Sequence, residues 1–255
     1  MDTLAERWAR LEPHVAVHGP ADERPRPAVL LFHGCGGIRP HLDRYAKAAA
    51  ALGVRAFVVD SYAARGWSQA FRIAFVCSGS MLRGDERAGD VLAALWGVSR
   101  RPDVDAASIV LAGWSHGGWG IMELMAAPLE AAGEIGLADA ARADFSGLKG
   151  VFLAYPFVGV LAVRRFAPWR RRPPTLAVLA RHDYLTTLRN AERVWEAVRG
   201  SGVEVETWIA DAAHSFDEPF DLPPMRHHPA MAREAIRRFS RFLEATAAPQ
   251  AVERA

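Results

Sequence analysis

The sequence predicts an α/β fold with a mostly parallel central sheet and helices on both faces. Three observations carry this reading. Apolar, β-rich runs alternate along the chain with segments of helical period. Those runs are almost continuously apolar, as strands covered on both faces must be. The 255 residues suffice for one large core, and neither a repeat nor a low-complexity linker divides them. A single domain over residues 1–255 is expected, with its core at about 25–245.

Taken in order, residues 14–18 read as a weak first strand. Residues 27–32 (PAVLLF) form the second and run into His33-Gly34-Cys35-Gly36-Gly37. In the helix that follows, Pro40 suits the first turn, Leu42, Tyr45, Ala46, Ala49 and Leu52 share one face, and Gly53 is the stop. Residues 54–59 are a strand closed by Asp60-Ser61, and residues 61–84 read as a long loop without period. The next helix starts at Asp85 and carries the stripe Ala88, Val91, Leu92, Leu95 and Trp96.

Residues 108–112 form a short strand. It leads into Gly113-Trp114-Ser115-His116-Gly117-Gly118 and an apolar helix over 119–127. Strands at 151–155, 175–180 and 203–209 and helices at 187–199 and 229–246 complete the pattern. The connections 61–84, 128–147 and 156–174 are too long for simple turns and are expected to cover a substrate.

Composition excludes several classes. There are 31 basic and 29 acidic residues, a net charge of +2, so no electrostatic footprint marks a nucleic-acid partner. No apolar run approaches the ~18 residues of a membrane helix, and no membrane partner is expected. The opening Met-Asp-Thr-Leu-Ala-Glu-Arg has neither the basic nor the apolar region of a signal peptide, which leads to a cytoplasmic expectation. Two cysteines, Cys35 and Cys77, are too few for a disulfide scaffold or an all-cysteine zinc site. Both are expected as reduced thiols, with a bridge between them as the alternative. No metal is called for, and the oligomeric state is open.

Gly113-Trp114-Ser115-His116-Gly117 fits G-x-S-x-G, set between an apolar strand and a helix. A serine at such a turn is held in strained backbone with its Oγ projecting above the sheet. The positions two before and two after must lack side chains, because strand and helix approach each other there. The chain order of an α/β-hydrolase then asks for an acid and, last, a histidine. Asp183 follows the strand TLAVLA, 68 residues after Ser115, and His214 lies beyond the last strand, a further 31 on. Both fall at the sheet edge that carries Ser115. Asp211 and Asp217 are rival acids and read as loop residues; His227 and His228 read as solvated loop histidines.

The turn His33-Gly34-Cys35-Gly36-Gly37 supplies the second oxyanion donor, the first being the His116 N–H. The Cys35 N–H is favoured, with Gly34 and Gly36 as alternatives. Gly34-x-Gly36, with Asp60 at the end of the next strand, also imitates a dinucleotide fingerprint. Arg39 stands where its third glycine belongs, which argues against that reading.

These motifs, together with Asp60-Ser61-Tyr62, Arg65-Gly66, Asp85-Glu86-Arg87-Ala88-x-Asp90 and Ala213-His214-Ser215-Phe216, resemble the dienelactone hydrolase family over residues 25–245. The resemblance implies an α/β-hydrolase fold, a carboxylic-ester or lactone substrate, a nucleophile–Asp–His triad and no cofactor. Ser115 stands where the family archetype has a cysteine. No glutamate occurs between Gly34 and Tyr45, where the archetype carries one. The chain looks more like the serine esterases of the family.

The expected site is thus Ser115, Asp183 and His214, an oxyanion hole at Cys35 and His116, and substrate contacts at Gly34, Trp114 and Tyr155. Thioesterase or peptidase action on the same triad, or a non-catalytic binding protein of this fold, are the alternatives. Trp67, Trp119 and Trp169 divide between pocket and packing roles. The cluster Arg164, Arg165, Arg170, Arg171 and Arg172 is expected as a solvated loop.

Overall fold

The structure, a computed structural model, describes residues 1–220 and 224–247. The elements run α1 (Leu4–Leu11), β1 (Val15–His18), β2 (Arg26–Phe32), α2 (Pro40–Ala51), β3 (Arg55–Val59), α3 (Gln69–Phe71) and α4 (Gly84–Val98). They continue with β4 (Val104–Trp114), α5 (His116–Ala126), β5 (Leu148–Ala154), β6 (Thr175–His182), α6 (Leu188–Gly200), β7 (Val205–Ala213) and α7 (Pro229–Thr246). The sheet order is β1-β3-β2-β4-β5-β6-β7. Every pairing is parallel except β1 with β3.

The period of two in the strands sorts the core into two layers. Ala28, Leu30 and Phe32 of β2 pack with α1, α4, α5 and α6. Val29 and Leu31 pack on the other side with α2 and α7. Strands with both faces buried in this way read as unbroken apolar runs, which is why 27–32 and 175–180 stood out.

Four differences from the sequence reading have physical causes. Helix α1 was not expected, although Thr3 and Glu6 form a capping box around it. Its Trp8 packs against Gly97, where a Cβ would come within 2.1 Å of the indole. Strand β7 ends at Ala213, four residues past its expected end. Asp211-Ala212-Ala213 has no β signature of its own, but β6 pairs with it, His182 lying opposite Ala213. The loop 61–84 holds α3 and a wider helical turn, Arg72–Val76, started by the Ser68 side chain accepting from the Phe71 N–H. The arginine cluster is only partly solvated. Arg171 donates to the carbonyls of Leu124 and Ala127 at the end of α5, at 2.9 and 2.6 Å, and Arg164 pairs with buried Glu123.

The turn from β4 into α5 is the tightest passage. A Cβ on Gly117 would stand 2.1 Å from the Phe32 carbonyl oxygen and 2.8 Å from that of His33. One on Gly113 would stand 2.7 Å from the Gly118 nitrogen. These are backbone atoms, so no rotamer change makes room. Gly117→Ala is expected to destabilise the fold by about 3 kcal/mol or more, seen by calorimetry as a fall in Tm of at least ~6 °C.

Candidate active site

Ser115 sits at that turn with φ 47° and ψ −109°, backbone that a residue with a side chain rarely adopts. Its N–H donates to the Ala154 carbonyl at 3.0 Å, which ties the turn to the end of β5. Its own carbonyl accepts from the N–H groups of Trp119 at 3.0 Å and Phe157 at 3.1 Å. Surrounding hydrogen bonds therefore hold the strain.

Three side chains converge above the strand ends. The Ser115 hydroxyl donates to His214 Nε2 at 2.8 Å, and His214 Nδ1–H donates to Asp183 Oδ2 at 2.7 Å. Each end of the imidazole is thus assigned a partner, one a donor and the other an acceptor. The other oxygen of Asp183 accepts from the N–H groups of Leu185 and Thr186 at 2.8 and 2.9 Å. The side chains of His214 and Asp183 are 3% and 4% exposed. Chemically, the chain of bonds lets the imidazole take the serine proton while a carboxylate faces the charge that forms.

The loop after β2 closes one side. Gly34 lies beside Ser115: a Cβ there would make ordinary van der Waals contact with the serine Cβ, at 3.5 Å. The His33 ring is buried and hydrogen-bonded to the Gly34 carbonyl at 2.7 Å, which pins the turn. Burial, and then the neighbouring Arg87 guanidinium, push its ionisation well below the ordinary histidine range. His116 is likewise buried and pushed down to about 3, by burial first and Arg87 second. Its Nε2–H donates to the Leu82 carbonyl at 2.8 Å. Both rings are neutral tethers, and among the described residues only His214 bonds the serine hydroxyl.

A small cleft of about 50 Å³ opens beside Ser115. Cys35 and His116 border it, and Val76, Trp119, Phe157, Leu161 and Leu185 give it an apolar wall. Of these wall residues the sequence reading singled out only Trp119; the others lie in segments without period.

Trp114 and Tyr155 correct the expected substrate contacts. They are 0% and 1% exposed, and both turn beneath the site, away from the cleft. There the Trp114 indole and the Tyr155 phenol donate to Asp217. Asp217 itself, expected as a loop residue, is 1% exposed. Asp211, also expected as a loop residue, lies near the end of β7, where it is exposed and pairs with His182 and Arg181. His228 caps α7, accepting from the Met231 N–H at 3.3 Å. Asp60 accepts from the N–H groups of Tyr62 and Ala63, as a turn residue does.

The sequence profile of the dienelactone hydrolase family matches residues 14–247. The chain belongs to the dienelactone hydrolase family. It is accordingly a carboxylic-ester hydrolase of that class. No curated protein matches the sequence. Among solved structures, a dienelactone hydrolase-like promiscuous phosphotriesterase from metagenomic libraries is similar at 16% identity and TM-score 0.65, covering 91% of this chain and 92% of its own. A putative dienelactone hydrolase from Klebsiella pneumoniae is similar at 16% identity and TM-score 0.66, with 90% of each chain covered. Esterase 2 of Thermogutta terrifontis with propionate bound is similar at 19% identity and TM-score 0.63, covering 92% and 91%. At these identities the likeness is one of fold. Among the described residues no group of ligating side chains could hold a metal ion, and no helix is long and apolar enough to cross a membrane.

Two features of this family member stand out beside the serine. Cys35 and Cys77 form a disulfide, with Cα atoms 5.2 Å apart, which corrects the expectation of reduced thiols. The loop 61–84 folds back over the Gly34–Gly37 turn, so a stretch of chain with a sequence separation of 42 closes on itself. Glu218, in turn, lies 4.0 Å from the Arg39 guanidinium. Burial, with Asp217 beside it, raises its carboxyl from 4.5 to about 7.

Thiol titration of the denatured, unreduced protein is expected to find no free thiol. Reduction is expected to lower unfolding free energy by about 3–4 kcal/mol, the chain-entropy value for a loop of this length. The Glu218 carboxyl is raised by folding, so its contribution is full below pH 4.5 and is lost as pH rises through about 7. Denaturant unfolding at about pH 5 and pH 8 should show a loss of up to about 3 kcal/mol that Glu218→Gln removes.

Proposed function

We propose that the chain is a serine esterase that acts on a small-molecule ester or lactone through an acyl-enzyme. The observation that carries this reading is the continuous set of bonds from Ser115 Oγ through His214 to Asp183, at 2.8 and 2.7 Å. His214 takes the Ser115 proton as Oγ attacks the ester carbonyl. Asp183 holds the ring in the tautomer whose Nε2 is free to accept, and it stabilises the imidazolium. The N–H groups of Cys35 and His116, both on the cleft, receive the oxyanion; the loss of one such donor costs about 10²–10³ in rate. His214 then protonates the leaving alkoxide, activates a water, and the acid is released.

The cleft favours a short acyl group. Its volume of about 50 Å³ and its wall of Trp119, Phe157 and Leu161 leave room for a few heavy atoms and offer no charged partner to the acyl chain. Propionate in the Thermogutta esterase is of that size. The same protein occurs phosphorylated by paraoxon, the reaction expected of an activated serine hydroxyl. Small soluble esters are the substrates this reading favours.

Ser115→Ala is expected to lower kcat on p-nitrophenyl acetate by about 10⁴-fold or more while the unfolding midpoint stays near that of the parent. A fluorophosphonate should label Ser115 of the folded parent, located by peptide mass. Hydrolysis that survives the substitution, or a folded parent left unlabelled, would remove the serine from this role.

A further inference from the structure

The segment that carries His214 needs an anchor. It lies beyond the end of β7, in the turn His214-Ser215-Phe216-Asp217, outside the hydrogen-bonded ladder of the sheet. Ser215 there has φ 60°, a left-handed value that a serine holds only under constraint. An imidazole at 2.8 Å from its serine partner has little tolerance for drift of that turn.

Asp217 supplies the constraint. Its carboxylate is 1% exposed, and three neutral donors from three elements converge on it. Tyr45 of α2 donates its phenol at 2.9 Å, and Trp114 at the end of β4 donates its indole N–H at 3.1 Å. Tyr155, just past β5, donates its phenol to the second oxygen. Trp114 is the residue next to Ser115. Tyr155 sets its ring edge-on to His214, with centroids 4.8 Å apart, and it too is held at a positive φ, 36°. The carboxylate therefore joins the turn bearing the histidine to the residue before the serine and to the ring on which the histidine rests.

We propose that Asp217 is a positioning residue for His214: it clamps the histidine turn onto the strand ends that carry Ser115. The proposal rests on the esterase reading given above and deepens it. Asp217 does not act as the acid of the relay, because His214 Nδ1 is already bonded to Asp183 and Nε2 to Ser115. Its influence passes through Tyr155 and Trp114. An asparagine of the same shape would turn an N–H₂ toward at least one of the three donors, so the clamp loosens with little change of volume.

The experiment compares Asp217→Asn, Tyr155→Phe and the double variant in the full-length protein, by steady-state kinetics on p-nitrophenyl acetate and by proton NMR. Asp217→Asn is expected to lower kcat at least tenfold with KM within about twofold, since the histidine acts in the chemical step and does not bind the ester. Tyr155→Phe should lower kcat several-fold. The double variant should be no slower than Asp217→Asn, because both changes break one path. The downfield proton resonance of the His214–Asp183 bond should be sharp in the parent and broadened or lost in Asp217→Asn. That resonance does not depend on turnover, so an inactive parent that keeps it would count against the esterase reading and leave the clamp standing. A folded Asp217→Asn protein with parental kcat and an unaltered resonance overturns the proposal, as do additive effects of the two substitutions. If Asp217→Asn does not fold, Tyr155→Phe and Trp114→Phe each remove a single donor; parental kcat and resonance in both would overturn it equally.

Discussion

The constraint on which the rest depends is the approach of α5 to β2 at Gly117. The helix that starts at His116 passes so near the Phe32 and His33 carbonyls that only a hydrogen fits between them. That approach compresses the link from β4 to α5 into one residue, Ser115, and forces it to positive φ. The same closeness brings Gly34 against the serine. The strained hydroxyl and the loop facing it are two results of one packing contact, so neither is adjusted without the other.

The remaining site is built against this fixed point from the parallel order of the sheet. Strands β4, β6 and β7 end at the same edge, and each hands a residue to that edge: Ser115, Asp183 and His214. Two carboxylates then divide the work of holding the histidine. Asp183 bonds the ring, and Asp217 fastens the turn beneath it through Tyr45, Trp114 and Tyr155. Fixed acceptors and donors of this kind leave little to rearrange when charge develops.

How much of this the sequence disclosed follows from the range of the interactions involved. Strands buried on both faces have to be apolar throughout, so β2, β5 and β6 could be read directly. The turn at Ser115 needs glycine at defined offsets, so it too was legible from spacing. Asp217 and Asp211 illustrate the opposite case. Both are aspartates a few residues from His214, and nothing local separates the buried one from the exposed one. What separates them is Tyr45, 172 residues away in the chain, and Trp114, 103 away. Trp114 and Tyr155 were misplaced for the same reason: adjacency to a strand end gives position along the sheet, whereas the side on which a ring is buried depends on its partner. Helix α1 shows a third kind of miss, since its capping box was visible but its eight residues carry too few turns for periodicity to register.

The Cys35–Cys77 bridge has a consequence for how the cleft admits molecules. One of its cysteines lies in the turn that faces Ser115, and the other lies in the loop that forms a lip of the cleft beside that turn. A lip joined covalently to the turn behind it cannot swing open as a separate flap. Any widening of the entrance has to come from the other side, where Phe157, Leu161 and Leu185 carry no covalent tie of this kind. The entrance is therefore a gauge with one fixed jaw and one compliant jaw. Discrimination among substrates that differ in bulk falls to the compliant one.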